Sequence, residues 1–334
     1  MPIRSLGNSS VRYNAVMSKT GVGALYKYPE FFWYGDRAIQ FGGDTPGYTN
    51  TIQYYAITST GNASDFGDLT QNGNTGGGAA GQGRGLFAGG ASDTYTNVIQ
   101  KITIGTTGNA SDFGDLTVAK MELAQNSPSN GIRAVWCAGA VAGGDDENRI
   151  DYTTIMSGGG ASDFGDHGSS MPRKQQAGVS NKTRGIWAGG APNSPGNQIQ
   201  YITFDTVGNS TDVANLTQGR RSAAGNGSGT LGRGVIGGGV SLTSPGGSGH
   251  YNYIDYFAID STSNAVDFGD LTQARYWITG AANATRGTFF GGAYLGPYTS
   301  VNTIDYVEMA TTGNASDFGD ALEQYEKTGG CSGD

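Results

Sequence analysis

Apolar and polar positions along the 334 residues follow one pattern six times over. In each copy, a stretch that alternates apolar with polar residues opens with Asn. These stretches read "NTIQYYAI" from Asn50, "NVIQKITI" from Asn97, "NRIDYTTI" from Asn148, "NQIQYITF" from Asn197, "NYIDYFAI" from Asn252 and "NTIDYVEM" from Asn302. Residues such as Ile52 and Tyr54 fall on alternate positions, the period of a strand that buries one face. Upstream of each lies an apolar run that begins with Arg and ends in glycine: "RAIQFGG" at 37, "RGLFAGG" at 84, "RAVWCAG" at 133, "RGIWAGG" at 184, "RGVIGGG" at 233 and "RGTFFGG" at 286. Downstream lies a ten-residue segment, "GNASDFGDLT", at 61–70 and again at 108–117. Looser copies are "GGASDFGDHG" at 159–168, "GNSTDVANLT" at 208–217, "SNAVDFGDLT" at 263–272 and "GNASDFGDAL" at 313–322. A run of small residues, such as "TVAKMELAQNSPSNGI", then leads to the next Arg.

The opening arginines stand 47 to 53 residues apart. A period near 50 with several strands per unit is the pattern of propeller blades. Each unit reads as four strands bounded by Gly, Asn, Ser and Asp turn signals. Strand b is the Arg-led run, c the alternating stretch, d the segment around "SDFGD", and a the small-residue run, which has to fit the crowded inner end. One four-stranded blade cannot bury both its faces alone. Phe66, Phe113, Phe164, Phe268 and Phe318 recur at one equivalent place, with Val213 in the fourth unit. They are expected to fill the gap against the neighbouring blade, each worth about 1.5–3 kcal/mol.

The first unit starts at strand b, and the chain ends with "ALEQYEKTGGCSGD", where a strand a belongs. A closing strand at about 321–334 would therefore complete the first blade. The expectation is an all-β, six-bladed propeller over 37–334, preceded by a non-repeat segment, 1–36. Seven blades would follow if 10–36 formed one of its own. The layout resembles the kelch family of propellers, in which a glycine pair ends the second strand, a tyrosine follows in the third and an aromatic in the fourth. The pairs here are Gly42-Gly43, Gly89-Gly90, Gly189-Gly190, Gly238-Gly239 and Gly291-Gly292, with Tyr54, Tyr152, Tyr201, Tyr256 and Tyr306. Lys101 and Ala138-Gly139 depart from the pattern, and Phe stands where that family usually has Trp.

Residues 1–36 do not match the repeat. "ALYKYPEFFWYGD" crowds Tyr26, Tyr28, Phe31, Phe32, Trp33 and Tyr34 together. Such a run reads either as a cover for one face or edge of the ring or as a docking segment for a partner or sister subunits. "PIRSLGNSSVRYNAVMSKTG" resembles the start of structural proteins of tailed phages, marine ones especially. The repeats around "NTIDYVEMATTGNASDFGD" also resemble those of virion proteins of such phages. The resemblance implies a virion component: a tail fibre, another tail appendage or a head decoration, docked on other virion proteins through the N-terminal segment.

Composition agrees with a turn-rich β protein: 59 glycines, 36% apolar and 14% charged residues. A formal charge of −8 and the absence of a Lys/Arg run argue against nucleic acid. No apolar run of 18 residues marks a membrane span. Cys137 and Cys331 are expected to be reduced thiols.

Catalytic chemistry finds little footing. With His167 and His250 in different units, no metal site or cofactor is expected. "DFGD" recurs without a kinase context, and "GGGAAGQGRG" at 76–85 lacks the P-loop Lys. Asp65/Asp68 and Asp112/Asp115 read as turn residues, with Ca²⁺ as the alternative. The Asn-Ala-Ser triplets at 62, 109 and 314 match glycosylation acceptors, which a phage product would leave bare. The b–c loops vary in length between constant strands, and the d–a connections should share their face. Variable loops on a rigid frame are where binding sits. The loop candidates are Tyr48, Tyr95, Asp145, Asp146, Asn193, His250, Tyr251, Tyr294 and Tyr298. They suit a sugar through stacking and hydrogen bonds, or a protein. The expected function is non-enzymatic: a host-surface glycan or protein is bound by this face, and a homo-oligomer such as a trimeric fibre is compatible with it. The alternatives are a purely structural head or tail decoration and, less favoured, a polysaccharide-degrading enzyme.

Overall fold

The computed structural model describes residues 35–92, 94–143, 147–168, 173–191, 196–228, 231–241, 249–294 and 298–333, and all their regular structure is β. Six antiparallel sheets stand round one axis as the blades of a propeller. Blade 2 is typical. From the axis outward it runs Gly77–Gly81, Arg84–Ala88, Val98–Thr103 and Ser111–Asp115, the strands a to d. Blades 4 and 5 repeat this order. Blade 6 lengthens strand d to Ser316–Tyr325. Blade 1 takes its strand a from the other end of the chain: Gly329–Gly333 pairs with Arg37–Phe41. Blade 6 meets blade 1 directly, with the Gly61 amide on the Phe318 carbonyl at 2.8 Å. The ring thus closes at six blades.

Blade 3 departs from the pattern, with three regular strands, Arg133–Cys137, Arg149–Thr154 and Ser162–Asp166. Its inner segment still touches strand b, since the Val135 amide donates to the Pro128 carbonyl at 3.0 Å. Pro128 has no amide to give to a ladder, which keeps this segment from becoming a regular strand.

The core lies between blades rather than within them. Six of the seven apolar clusters each combine residues of two adjacent blades, one cluster per interface. Phe66, Phe113, Phe164, Phe268 and Phe318 are buried in five of them, and Val213 packs on the sixth.

The ten-residue repeat also acts through its backbone. The Gly108 amide donates to the Phe66 carbonyl and the Ala110 amide to the Asp68 carbonyl, both at 2.7 Å. Asn109 Oδ1 accepts from the Asp68 amide at 3.0 Å. "GNA" of one blade thereby straps strand d of the blade before it. Both backbone bonds recur at every interface but that of blades 4 and 5, where the Ala265 amide on the Asn215 carbonyl remains, and blade 6 is strapped by Gly61 and Ala63 of blade 1. This covers edges that would otherwise invite another chain.

The opening arginines act as a second set of ties. Arg37 Nη1 donates to the Ile104 carbonyl of blade 2 at 2.7 Å, and Arg84 to Ile155 of blade 3 at 2.7 Å. Arg133, Arg184 and Arg233 reach Phe204, Ile259 and Met309 in turn. Arg286 closes the circle on Thr58 of blade 1 at 3.0 Å. In five blades the guanidinium lies over that blade's own tyrosine, 4.3 to 5.1 Å from the ring centre. In blade 2, where Lys101 replaces the tyrosine, Arg84 lies over Phe113 instead.

Close approach sets the limit at the axis. A Cβ on Gly178 would lie 1.9 Å from the Asn126 carbonyl oxygen, and one on Gly225 2.2 Å from that of Gly178. Gly280, Gly330 and Gly78 continue the same contact round the ring. Five of the six innermost positions are therefore glycine. The sixth, Asn126, sends its side chain across the axis. Its Nδ2 donates to the carbonyls of Gly280 and Gly330, and its Oδ1 accepts from the Gly280 amide at 2.9 Å.

Among the described residues, three d–a connections carry a fully buried cation paired to strand c of the blade they lead into: Lys120–Asp151 at 2.9 Å, Arg220–Asp255 at 3.0 Å and Arg275–Asp305 at 2.6 Å. The matching strand-c residue elsewhere is Gln53, Gln100 or Gln200, and the places of the buried cation facing Gln53 and Gln100 are held by Tyr325 and Gly73. Asp stands only where a cation faces it, because a lone buried charge costs several kcal/mol. Replacing Asp255 with Asn is expected to lower unfolding free energy by about 3–5 kcal/mol. Adding Arg220→Met should restore more than half of the loss, as read by denaturant titration. A single variant as stable as the parent would contradict this.

Candidate functional site

The b–c loops and d–a connections share one face, because backbone bridges join them: Asn74 to Ala91, Lys174 to Ala191, Tyr276 to Ala293 and Glu326 to Asp44. The glycine pair makes the turn that allows this. Gly89 and Gly90 have φ of 65° and 94°, and the Gly90 amide docks on the Lys120 carbonyl at 2.9 Å.

Of the loop candidates, Asp145, Asp146 and Asn193 lie outside the described residues, as does the aromatic run at 26–34. The others are distributed round the face, not gathered in one pocket. Tyr48 is 45% exposed and pairs with Asp44 across its hairpin. Tyr95 is bridged to Ala91 and His250 to Val240. Tyr251 stacks on Tyr253 at 5.1 Å, and Tyr294 pairs with Thr299. Tyr298 is 53% exposed, yet its hydroxyl donates to the buried Glu326 carboxylate.

Tyr298 belongs to a cluster of aromatic and charged side chains on this face. Its ring meets Tyr276 edge-on at 6.5 Å, and Tyr276 lies beside Trp277. Lys327 Nζ sits 5.6 Å from the centre of the Trp277 ring and pairs with Glu326 at 2.8 Å and Asp44 at 3.2 Å. Burial disfavours the Lys327 ammonium, but the two carboxylates outweigh it and hold its pKa above the usual lysine value. Burial and the neighbouring Glu326 both raise the Tyr298 phenol.

Sequence reasoning passed over the d–a connections, which hold the most regular feature of this face. Thr75, Glu122, Gln175, Ser222, Trp277 and Lys327 all take left-handed backbone, with φ between 55° and 59°. They form a closed circle of hydrogen bonds. The Thr75 amide donates to Lys327, Lys327 to Trp277, Trp277 to Ser222, Ser222 to Gln175 and Gln175 to Glu122, at 2.8 to 3.1 Å. The last link, to the Thr75 carbonyl, comes from the Leu123 amide at 3.1 Å. In five blades the circle residue lies three positions before the axial glycine, as Thr75 before Gly78; blade 3 has one residue more, Glu122 before Asn126. The circle rings the channel mouth at the loop-face end of the inner strands. Below it a cavity of about 80 Å³ is lined by Gly78, Asn126, Gly178, Gly225 and Gly280, among others. That is room for two or three waters, taking about 30 Å³ for each.

Among the described residues, no three or more His, Cys, Asp or Glu side chains are grouped as metal ligands. Cys137 and Cys331 are buried free thiols whose pKa values burial pushes up. No family model and no curated protein matches the chain. The kelch-type layout is present in the fold itself: a glycine pair after strand b, a tyrosine in c and an aromatic in d. What the ring presents to a protein or ligand is this loop face.

His167 stands where four other units have leucine, and it is buried with Nε2 3.0 Å from Gln176 Nε2. Burial lowers its pKa to about 3, and the Arg173 charge adds to this. The unfolded chain would take up the proton near pH 6.5. Between about pH 6.5 and 3 the unfolded state therefore binds more protons, and stability falls as pH falls. His167→Leu should flatten that part of the stability–pH curve, measured by urea titration at pH 7 and pH 5. An unchanged curve would rule His167 out as its source.

Proposed function

We propose that this protein is a non-enzymatic phage virion component, carried on a tail fibre or another appendage, that presents its loop face to a glycan or protein on the host surface. The observation that carries the binding part is the loop face: varied loops and varied d–a residues stand on a ring whose interfaces repeat almost without change. The virion part rests on the resemblance of residues 2–21 and of the repeat wording to structural proteins of tailed phages. In this reading residues 1–36 dock on other virion proteins, with Tyr26, Tyr28, Phe31, Phe32, Trp33 and Tyr34 as contacts. Strand b of blade 1 begins at Arg37, on the side away from the loop face.

Antibody labelling of intact particles tests the location. Label on tail tips or fibres is expected. Label spread over the capsid would favour a decoration role, and no label on particles would overturn the virion assignment. Deletion of residues 1–34 should abolish incorporation into particles without changing the Tm of the propeller. Normal incorporation would remove the docking role.

A further inference from the structure

Arginine serves as a tie throughout this fold. The opening arginines hold carbonyls of the next blade. Arg149 donates to Thr117, Arg173 to Gln198, and Arg220 and Arg275 to buried aspartates. Arg221 is the exception among the described residues. Its guanidinium makes no hydrogen bond or ion pair, and its Nε is buried without a partner. A buried donor left unpaired is a cost to the fold, so the ring alone gives no reason for an arginine here.

Arg221 stands on the loop face at the end of a row of three. It pairs with Val240, and Val240 is bridged to His250. Residues paired across antiparallel strands point to one side of the sheet, so Arg221, Val240 and His250 share a side. That side faces blade 6, because Val240 forms one apolar cluster with Tyr276 and Ala293. His250 carries the same mark as Arg221: its Nδ1 is buried without a partner. Two uncommitted side chains thus flank a small apolar floor. The exposed ring of Tyr298 bounds the floor on its far side, edge-on to Tyr276 at 6.5 Å. The charges beyond are committed to one another, since Lys327 pairs with Glu326 and Asp44. Burial and Glu326 raise the Tyr276 phenol while Lys327 and Arg221 oppose them, which agrees with an Arg221 charge beside the floor.

We infer that Arg221 and His250 form a carboxylate site, and that it takes an acidic side chain of a protein bound on the loop face. The free fork of a guanidinium matches a carboxylate through two parallel hydrogen bonds. The two residues stand two strands apart, about 10 Å between backbones, so one carboxylate above Val240 is within reach of both. His250 donates through Nδ1 when the proton is there, and as imidazolium it adds a charge. The apolar stem of the acidic side chain lies on Val240, Tyr276 and Ala293. A sugar would bring hydroxyls on every side, and this floor has no partners for them. With a formal charge of −8 the chain does not gather anions over its surface in general, so carboxylate binding has to be local. The inference rests on the loop-face reading and narrows its ligand to a protein.

The chain has two histidines, so the His250 ring signal in NMR spectra of the full chain reports on the site, with His167→Leu to assign it. The probe is the blocked peptide acetyl-Ala-Glu-Ala-amide, with its Gln counterpart and an alginate tetrasaccharide beside it. The Glu peptide should shift the His250 signal to saturation, and the Gln peptide should not. Arg221→Gln, which breaks no bond of the fold, should keep the Tm and raise Kd about tenfold or more. Arg221→Lys, which keeps the charge and loses the fork, should fall between. No saturable shift, or an equal Kd for wild type and Arg221→Gln, would overturn the site. A shift with alginate and none with the Glu peptide would overturn the acidic side chain as its occupant. If the wild type then bound a glycan array, the loop-face reading would stand without this site.

Discussion

Six segments of chain converge on one axis until their backbones touch, and this closeness dictates much of what surrounds it. A carbonyl oxygen stands 1.9 to 2.8 Å from where each of five glycines would carry a Cβ. Only small residues can line the inner strands, so bulky ones are displaced outward into the wedge-shaped gaps between blades. There they form six clusters, one per interface, in place of a single core. Each blade then depends on both neighbours, as in repeat proteins generally, but here the array closes on itself. Straps, arginine ties and the left-handed circle all pass from blade 6 to blade 1. The chain termini of the propeller meet in one sheet, where Gly329–Gly333 lies against Arg37–Phe41.

Departures from the repeat have local physical reasons. The axis has space for one side chain, and Asn126 fills it with bonds to blades 1 and 6. Blade 3, which supplies that residue, also has one more residue before it and a proline after it, and loses its regular inner strand. Buried aspartates occur where a buried cation faces them, and glutamine stands in the other units. Within one chain the six copies thus behave like six relatives, and their agreements and differences separate what the ring requires from what it leaves open.

That separation decides how much could be read from sequence. The period, the Arg, Tyr and Phe columns and the glycine pairs are side-chain patterns, and they lead to a six-bladed kelch-type ring. The "GNA" strap was less legible, since it works through amide and carbonyl groups that every residue carries. Lys120, Arg220 and Arg275 look like surface residues in a polar stretch, and only their buried strand-c partners, Asp151, Asp255 and Asp305, reveal them as buried. The circle was missed for the opposite reason: a column of six different residues is invisible to a search for motifs. Its signal lay in its fixed distance from the axial glycine, Thr75 to Gly78 or Trp277 to Gly280, combined with its refusal to repeat. Among the described loop candidates, Tyr298 joins the aromatic and charged cluster at the mouth, through Glu326 and Tyr276.

The convergence at the axis can be tested with one added methyl group. Gly178→Ala places a Cβ against the Asn126 carbonyl, whereas Gly105→Ala adds one in open space on an exposed turn. Denaturant titration of the two variants should give a loss of about 3 kcal/mol or more for Gly178→Ala. Gly105→Ala should stay within about 0.5 kcal/mol of the parent. Equal stability of the two variants would mean that the inner strands can move apart, and that backbone contact at the axis does not govern the fold.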